Sequence, residues 1–357
     1  MSRRGVWLAA GVAALIGVGF LPAVQARSKA LAVLAEAVGA PFPRPFAAEV
    51  RRVDTSLGDV RGDLYLPDRP SPAILLVLGA APQGPADPRA VRLATSMARA
   101  GRVVFAPRLT LAERRFDEED LDRIVRSVLA LEDHPATVGP VAALGISYGG
   151  SFALVAAADP RLQGHLAQVA TFGAYFDLVG VIQAVSTGAS LIDGRRVPWR
   201  GHPEARPVLE HHAVQLAPEG SGDELRAVLA GRQSPDALDP AARAVFELLT
   251  NRDPARTREL AEALAPESRA LLTRFSPATV APAIDGPVIA MHSTDDPAVP
   301  YGELIRLHRA LPDARVVTVG SFRHVDFQGG GPGGPLGLVS DLWDAWRFAS
   351  WLLEAQE

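Results

Sequence analysis

The sequence predicts an α/β fold with a mostly parallel, eight-stranded sheet and helices on both faces. Short apolar runs alternate with helical segments from residue 73 to residue 172, and the alternation resumes at residue 287. The apolar run 141–144 leads directly into a Gly-x-Ser-x-Gly turn and then into a helix-forming run. The chain has 357 residues, of which 48% are hydrophobic, and this is enough for a sizeable core.

Eight runs predict the strands of this sheet. The first two are joined by a turn at Gly58-Asp59, which is typical of an antiparallel hairpin. The third is continuously apolar, as in a central strand buried on both faces. The predicted strands are 49–56, 59–66, 73–78, 102–107, 141–144, 166–172, 287–292 and 314–319, and the predicted helices between and after them are 89–100, 117–131, 151–158, 301–311 and 338–354.

Between residues 176 and 285 the alternation stops and no strand of comparable strength follows. Connections of this length are usually functional lids or disordered segments. The apolar positions within 244–249 argue against disorder. We therefore predict a helical cap inserted over the sheet, with short helices at 208–216, 224–230, 241–250, 257–264 and 267–275.

The first 45 residues are predicted to lie outside the catalytic domain. Arg3 and Arg4 precede an uncharged apolar run at 5–24, which is long enough to span a bilayer. Small residues near position 26 would also fit a cleaved signal peptide, but the apolar run is longer than usual for one, so we favour an uncleaved anchor. Either interpretation places the folded part outside the cytoplasm. The predicted organisation is an anchor or signal segment at 1–27, a linker helix and Pro-rich linker at 28–45, and the domain at 46–357 with its cap at 176–285.

Composition excludes several kinds of site. The chain has no cysteine, so disulfides, thiolate metal sites and a cysteine nucleophile are excluded. The 36 basic and 40 acidic residues are spread along the chain without a basic stripe, so nucleic acid is not an expected partner. High Arg, Ala, Gly and Pro content is typical of a GC-rich bacterial genome.

The segment Gly145-Ile146-Ser147-Tyr148-Gly149 is typical of a nucleophile elbow. In such a turn the serine backbone is strained and the hydroxyl is pushed out above the sheet. The two glycines allow the strand before and the helix after to pass close together. An ordinary glycine-rich turn is the alternative in a chain with 32 Gly, but the flanking strand and helix favour Ser147 as a nucleophile.

A serine hydroxyl needs a base to take its proton and a third group to orient that base. After a nucleophile elbow the expected chain order is Ser, acid, His. Asp296 follows the strand 287–292 and completes a His-x-x-x-Asp-x-x-Val-Pro pattern, with Asp295 as the alternative acid. His324 lies in the loop after the last predicted strand and is the predicted base. An Asx turn before the next helix is the other interpretation of the Asp pair.

The negative oxygen of a tetrahedral intermediate needs two backbone N–H donors. One is expected from Tyr148, the residue after the nucleophile. The other is expected from the loop after the strand 73–78, with Ala80 as the first choice and Ala81 as the second.

Together, the serine elbow, the turn at 292–300 and the loop of His324 resemble the α/β-hydrolase family, nearest to its dienelactone-hydrolase and bacterial esterase branches. The resemblance covers about residues 46–355 apart from the cap. It implies a Ser-His-Asp hydrolase that cleaves an ester, thioester, amide or similar acyl bond, most often a carboxylic ester, without a metal or organic cofactor. Two features depart from the family: the oxyanion loop is Leu78-Gly79-Ala80-Ala81 where His-Gly is frequent, and the dienelactone branch usually has a cysteine nucleophile.

Other functions fit the same fold. A peptidase or an acyltransferase would use the same three residues, and a non-catalytic, membrane-tethered binding module would not need all of them. The expected partners are a small-molecule acyl substrate and, through the N-terminal helix, a membrane. The pattern does not identify the acyl group, the leaving group or the oligomeric state.

Overall fold

The computed structural model describes residues 22–37, 39–40, 48–203, 205–328 and 333–354. Its strands are β1 (Val50–Leu57), β2 (Val60–Pro67), β3 (Ala73–Val77), β4 (Val103–Pro107), β5 (Val141–Ile146), β6 (Leu166–Phe172), β7 (Ala189–Ile192), β8 (Arg195–Pro198), β9 (Val288–Ser293), β10 (Arg315–Val319), β11 (Phe322–Arg323) and β12 (Asp326–Phe327).

The α-helices alternate with these strands or follow them. They are α1 (Pro22–Ala37), α2 (Pro88–Arg99), α3 (Glu118–Glu132), α4 (Tyr148–Ala156), α5 (Leu178–Thr187), α6 (Ala205–Ala213), α7 (Gly222–Leu229), α8 (Pro240–Thr250), α9 (Thr257–Glu262), α10 (Pro266–Arg274), α11 (Pro277–Val280), α12 (Gly302–Ala310) and α13 (Gly334–Glu354).

Eight strands form one sheet in the order β1-β2-β4-β3-β5-β6-β9-β10. Strand β2 is antiparallel to both β1 and β4. The remaining neighbours are all parallel. The predicted eight-stranded, mostly parallel sheet is confirmed, and parallel strands bring their carboxyl ends to one edge, where the sites of such sheets are built.

The central strands are buried on both faces because each face is covered by helices. On β3, Ile74 and Leu76 pack into a layer with α1, α2 and α13. The alternating residues Leu75 and Val77 pack into a second layer with α3, α4 and the cap. The continuous apolar run that predicted a central strand therefore serves two cores.

Helix α1 packs on the domain instead of linking to it. It begins at Pro22, before the predicted boundary at 27/28, and Ala26 and Ala30 are fully buried. Trp346 Nε1 donates to the Arg27 carbonyl at 3.0 Å, and Arg27 forms an ion pair with Glu354 at 2.7 Å. The helix predicted as part of a linker is thus a layer of the fold.

Most of the predicted membrane-spanning run, residues 5–21, lies outside the described residues, as do residues 41–45 of the predicted Pro-rich linker. Within the described ranges, no helix combines the length and the apolar character that a membrane crossing requires.

The segment predicted as a cap is largely helical, from α5 to α11. It also contains the hairpin β7–β8, which the absence of a strong strand pattern did not predict. The turn of this hairpin is Asp193-Gly194, and both residues have positive φ, at 53° and 71°. Asp-Gly is a common signal for this kind of turn, so the sequence did carry a sign of the hairpin.

Glu303 of α12 anchors the start of the cap. Its carboxylate accepts hydrogen bonds from the backbone N–H of Phe176 at 3.0 Å and of Asp177 at 2.7 Å, and it forms an ion pair with Arg306. Burial raises the pKa of Glu303 to about 7. The loop after β6 is therefore held by a side chain that lies more than a hundred residues later in the chain.

Candidate active site

The turn between β5 and α4 has the geometry of a nucleophile elbow. Ser147 has φ 56° and ψ −132°, a conformation that non-glycine residues rarely adopt. A Cβ on Gly145 would lie 2.2 Å from the Gly150 Cα, and one on Gly149 would lie 2.3 Å from the Val77 carbonyl oxygen. Only glycine fits at these two positions, which explains why the strand and the helix can pass so closely.

Asp296 and His324 come together at the carboxyl edge of the sheet. His324 Nδ1 lies 2.7 Å from Asp296 Oδ2. The other carboxylate oxygen of Asp296 accepts the backbone N–H of Ala298 at 2.8 Å and of Val299 at 2.9 Å. Asp296 is only 1% exposed, whereas Asp295 is exposed, so Asp296 is the member of the pair that contacts the imidazole.

His292, the first residue of the sequence pattern around Asp296, packs against the same carboxylate. Its Nε2 lies 3.0 Å from the Val299 carbonyl oxygen and 3.5 Å from Asp296 Oδ2. Burial lowers the pKa of His292, so the ring is neutral and its Nε2–H donates to Val299. Burial alone would raise the pKa of Asp296, but the His324 ring and the backbone N–H of Val299 outweigh it, and the pKa lies below its ordinary value.

His324 occupies the turn of the small hairpin β11–β12, with φ 59°. Ser293 Oγ donates to the Phe322 carbonyl at 2.5 Å, which ties the hairpin to the end of β9. Arg89, at the start of α2, forms an ion pair with Asp326 at 3.0 Å, and this pair ties β12, the second strand of the hairpin, to α2. Asp326 therefore helps to position the hairpin, whereas Asp296 is the carboxylate that contacts the His324 ring.

Ser147 and His324 line one cavity of about 960 Å³. The Ser147 N–H donates to the Phe172 carbonyl at 2.8 Å, and the next residue, Gly173, lies against the histidine. A Cβ on Gly173 would be 3.0 Å from His324 Cε1 and 3.5 Å from Asp296 Oδ2. The end of β6 thus brings the serine and the His–Asp pair to one place, although no hydrogen bond joins the Ser147 hydroxyl to the His324 ring among the described residues.

The predicted oxyanion loop lies directly beside the serine. A Cβ on Gly79 would lie 2.9 Å from Ser147 Cβ and 3.1 Å from the Tyr148 backbone nitrogen. The Ala81 N–H already donates to the Gly79 carbonyl at 2.7 Å, whereas the Ala80 N–H has no acceptor within the described part of the chain. Of the two candidates, Ala80 is therefore the one with a donor to offer next to Tyr148.

An aromatic cluster under the cap supports the elbow from its other side. The ring of Tyr148 meets Tyr175 edge-on at 5.2 Å and lies 5.3 Å from His212, which stacks on Phe116 at 4.5 Å. Burial raises the pKa of Tyr148 to about 12 and lowers that of His212 to about 3. The sequence favours a solvated surface for His212 and the other basic residues of the predicted cap, and the burial of His212 contradicts that interpretation.

Comparisons with known proteins find only distant similarity. No protein-family model matches the sequence, and no curated protein matches it at a significant level. Among solved structures, 2,6-dihydroxy-pseudo-oxynicotine hydrolase is 14% identical with a TM-score of 0.49, over 87% of this chain and 68% of that one. Dienelactone hydrolase from Anabaena variabilis is 15% identical with a TM-score of 0.42, over 85% of this chain and 97% of that one.

A third similar structure is the acylaminoacyl peptidase from Pyrococcus horikoshii, 14% identical with a TM-score of 0.43. The match covers 78% of this chain but only 38% of the peptidase. With identities of 14% or 15% and TM-scores below 0.5, these matches assign no function to this chain.

Proposed function

We propose that this chain, which has the α/β-hydrolase fold, is a serine hydrolase that cleaves a carboxylic ester through an acyl-enzyme. The observation that carries the proposal is the Asp296–His324 contact of 2.7 Å. His324 lines the same cavity as Ser147, whose φ is 56°. A strained serine, a half-buried imidazole and a buried carboxylate from three distant loops form the combination that activates a hydroxyl for acyl transfer.

The proposed reaction has two halves. Ser147 Oγ attacks the ester carbonyl carbon while His324 Nε2 takes its proton, and the backbone N–H groups of Tyr148 and Ala80 hold the negative oxygen. The carbon–oxygen bond to the alcohol then breaks, and His324 returns the proton to the departing alcohol. Water repeats the sequence on the acyl-enzyme, so that a carboxylic acid leaves and Ser147 regains its proton.

Each contact around His324 has a part in this reaction. Asp296 accepts a hydrogen bond from the Nδ1–H of His324, and Nε2 is then the ring nitrogen that can take the serine proton. Because the second oxygen of Asp296 is held by two backbone N–H groups, the carboxylate stays fixed while the imidazole gains and loses its charge.

A fluorophosphonate probe tests the nucleophile. We expect labelling of the native protein at Ser147, loss of labelling in Ser147→Ala, and normal labelling in Ser56→Ala, which changes an exposed serine on β1. Labelling at another residue, or none in a folded sample, would overturn the proposal and favour a non-catalytic binding module.

Substrate assays separate the ester from the other acyl bonds. Hydrolysis of a short p-nitrophenyl ester without cleavage of aminoacyl amides supports an esterase, and amide cleavage at a similar rate favours a peptidase. Transfer of the acyl group to an added alcohol in preference to water favours an acyltransferase.

The location outside the cytoplasm is also a proposal, supported by the apolar run at 5–24 after Arg3 and Arg4. We expect the full chain to sediment with membranes and a chain beginning at residue 22 to remain in the supernatant. Equal behaviour of the two proteins would contradict the anchor.

A further inference from the structure

The cavity that contains Ser147 extends well beyond the catalytic residues. It continues between the sheet and the helical layer of α1, α2 and α13. In this part, which we call the apolar arm, the wall on the helical side includes Leu34, Leu93, Met97, Phe348 and Leu352.

The opposite wall of the apolar arm comes from the sheet itself. Leu144, Phe172 and Met291 lie near the ends of β5, β6 and β9, on the face that packs against α1 and α13. Ser147, which directly follows β5, lines the same cavity, so the apolar arm is continuous with the space at the nucleophile.

We infer that the apolar arm binds the acyl chain of the substrate, and that the substrates are esters of medium- or long-chain aliphatic acids. This inference rests on the proposed function, since the chain must be attached to the carbonyl that Ser147 attacks. A volume of about 960 Å³ is at the upper end of the range for small-molecule sites, so a short acyl group would leave most of it unfilled.

The chemistry of the two ends of the cavity distinguishes the acyl chain from the alcohol. Arg89, Asp326 and Gln328 surround the cavity on the side of the His324 hairpin, where a departing alcohol and an entering water can be solvated. Most side chains on both walls of the apolar arm are hydrocarbon, with Glu36 and Ser96 as polar residues on the helical side. Such walls favour a chain of methylene groups. The leaving group therefore belongs at the polar side and the acyl tail under α1.

Helix α1 contributes Leu34 to the helical wall of the apolar arm, whereas Leu31, one turn earlier, is 59% exposed. The two leucines provide a matched pair for the same substitution. Trp at position 34 would fill the apolar arm, whereas Trp at position 31 would point to solvent.

The experiment measures kcat/KM for p-nitrophenyl acetate, butyrate, octanoate and dodecanoate. For the native protein we expect kcat/KM to rise with chain length, by up to about fourfold for each methylene that is buried. Leu34→Trp is expected to lower the octanoate-to-acetate ratio by about tenfold or more, and Leu31→Trp to leave this ratio unchanged.

A second variant, Leu93→Trp on α2, repeats the test from another helix in case Leu34→Trp does not fold. Fluorophosphonate labelling of Ser147 is measured on every variant. If all variants are labelled and have the same octanoate-to-acetate ratio as the native protein, the acyl site is overturned and the serine hydrolase remains. A native preference for acetate would have the same consequence. Absence of labelling in the native protein would instead overturn the proposed function.

Discussion

Asp296 shows at the scale of one residue how a carboxylate can be fixed completely. Both of its oxygens are engaged, one by two backbone N–H groups and one by His324. The adjacent Asp295 is exposed and has none of these contacts. The two neighbours therefore differ in environment and not in chemistry.

Replacing the fixed carboxylate tests this difference. Asp296→Asn preserves the shape of the side chain but removes its negative charge, so the imidazole loses its orienting partner, and kcat for ester hydrolysis is expected to fall by about 10⁴-fold. Asp295→Asn is the control and is expected to remain near native activity. A larger loss in the control than in Asp296→Asn would assign the acid to Asp295.

His212 gives the protein a sensitivity to acid. It is 3% exposed, neither ring nitrogen has a hydrogen-bond partner in the described structure, and burial lowers its pKa from 6.5 to about 3. Between these values the unfolded chain binds a proton that the folded chain does not. Stability therefore falls as the pH drops below 6.5 and is unaffected by this group above it.

Urea unfolding at pH 7 and pH 5 measures this effect. His212→Phe keeps a ring against Phe116 without the titration, so the variant should lose about 2 kcal/mol less than the native protein between the two pH values. His211→Phe changes the exposed neighbour and should behave like the native protein. An unchanged difference between pH 7 and pH 5 in His212→Phe would show that His212 is not the source.

The hairpin β11–β12 shows at the scale of an element why the site could be only partly predicted. The order of strands placed His324 in a loop after the last strand, and that inference did not require the loop's structure. Strands of two residues have no periodicity to detect, so the hairpin and its positive φ at His324 became visible only in the structure.

The longer elements were predictable because each carries its own pattern. Strand β6 has the predicted bounds, and the other strands of the main sheet differ from theirs by at most two residues at either end. What the patterns omitted are contacts between distant segments, such as Glu303 with Phe176, since no local signal reports a partner so far along the chain.

The ion pair between Arg89 and Asp326 should have a small effect on catalysis. An exposed pair is worth about 1 kcal/mol or less, so Asp326→Asn is expected to lower kcat by at most about fivefold through a less well-placed His324. Asp54 lies on β1 and is a similarly exposed carboxylate that pairs with Arg61, so Asp54→Asn is the control and should leave kcat unchanged. Equal kcat in both variants would show that this ion pair does not position the hairpin.

At the scale of the whole molecule, the layer of α1 ties the start of the described chain to its core. Ala26 and Ala30 are fully buried, and the same layer contains residues of β3, β5 and α13. A helix that the sequence placed in a linker therefore contributes to folding, because its partners lie three hundred residues away and could not be inferred from its own composition.

Truncation measures this contribution. A chain beginning at residue 22 retains α1 and should melt cooperatively. A chain beginning at residue 48 loses the helix, exposes the apolar residues beneath it, and is expected to melt lower by more than about 5 °C or to aggregate. Equal melting temperatures would restore the interpretation of α1 as a linker.

The contacts of Arg27 with Glu354 and Trp346 place the two ends of the described chain side by side. Neighbouring ends are what circular permutation requires, because a short peptide can then connect them without distorting the fold. New ends could be opened at the exposed Asp193-Gly194 turn, which lies in the cap and outside the catalytic loops. Such a rearranged protein would make the cap hairpin the start and finish of the polypeptide and turn α13 and α1 into consecutive helices.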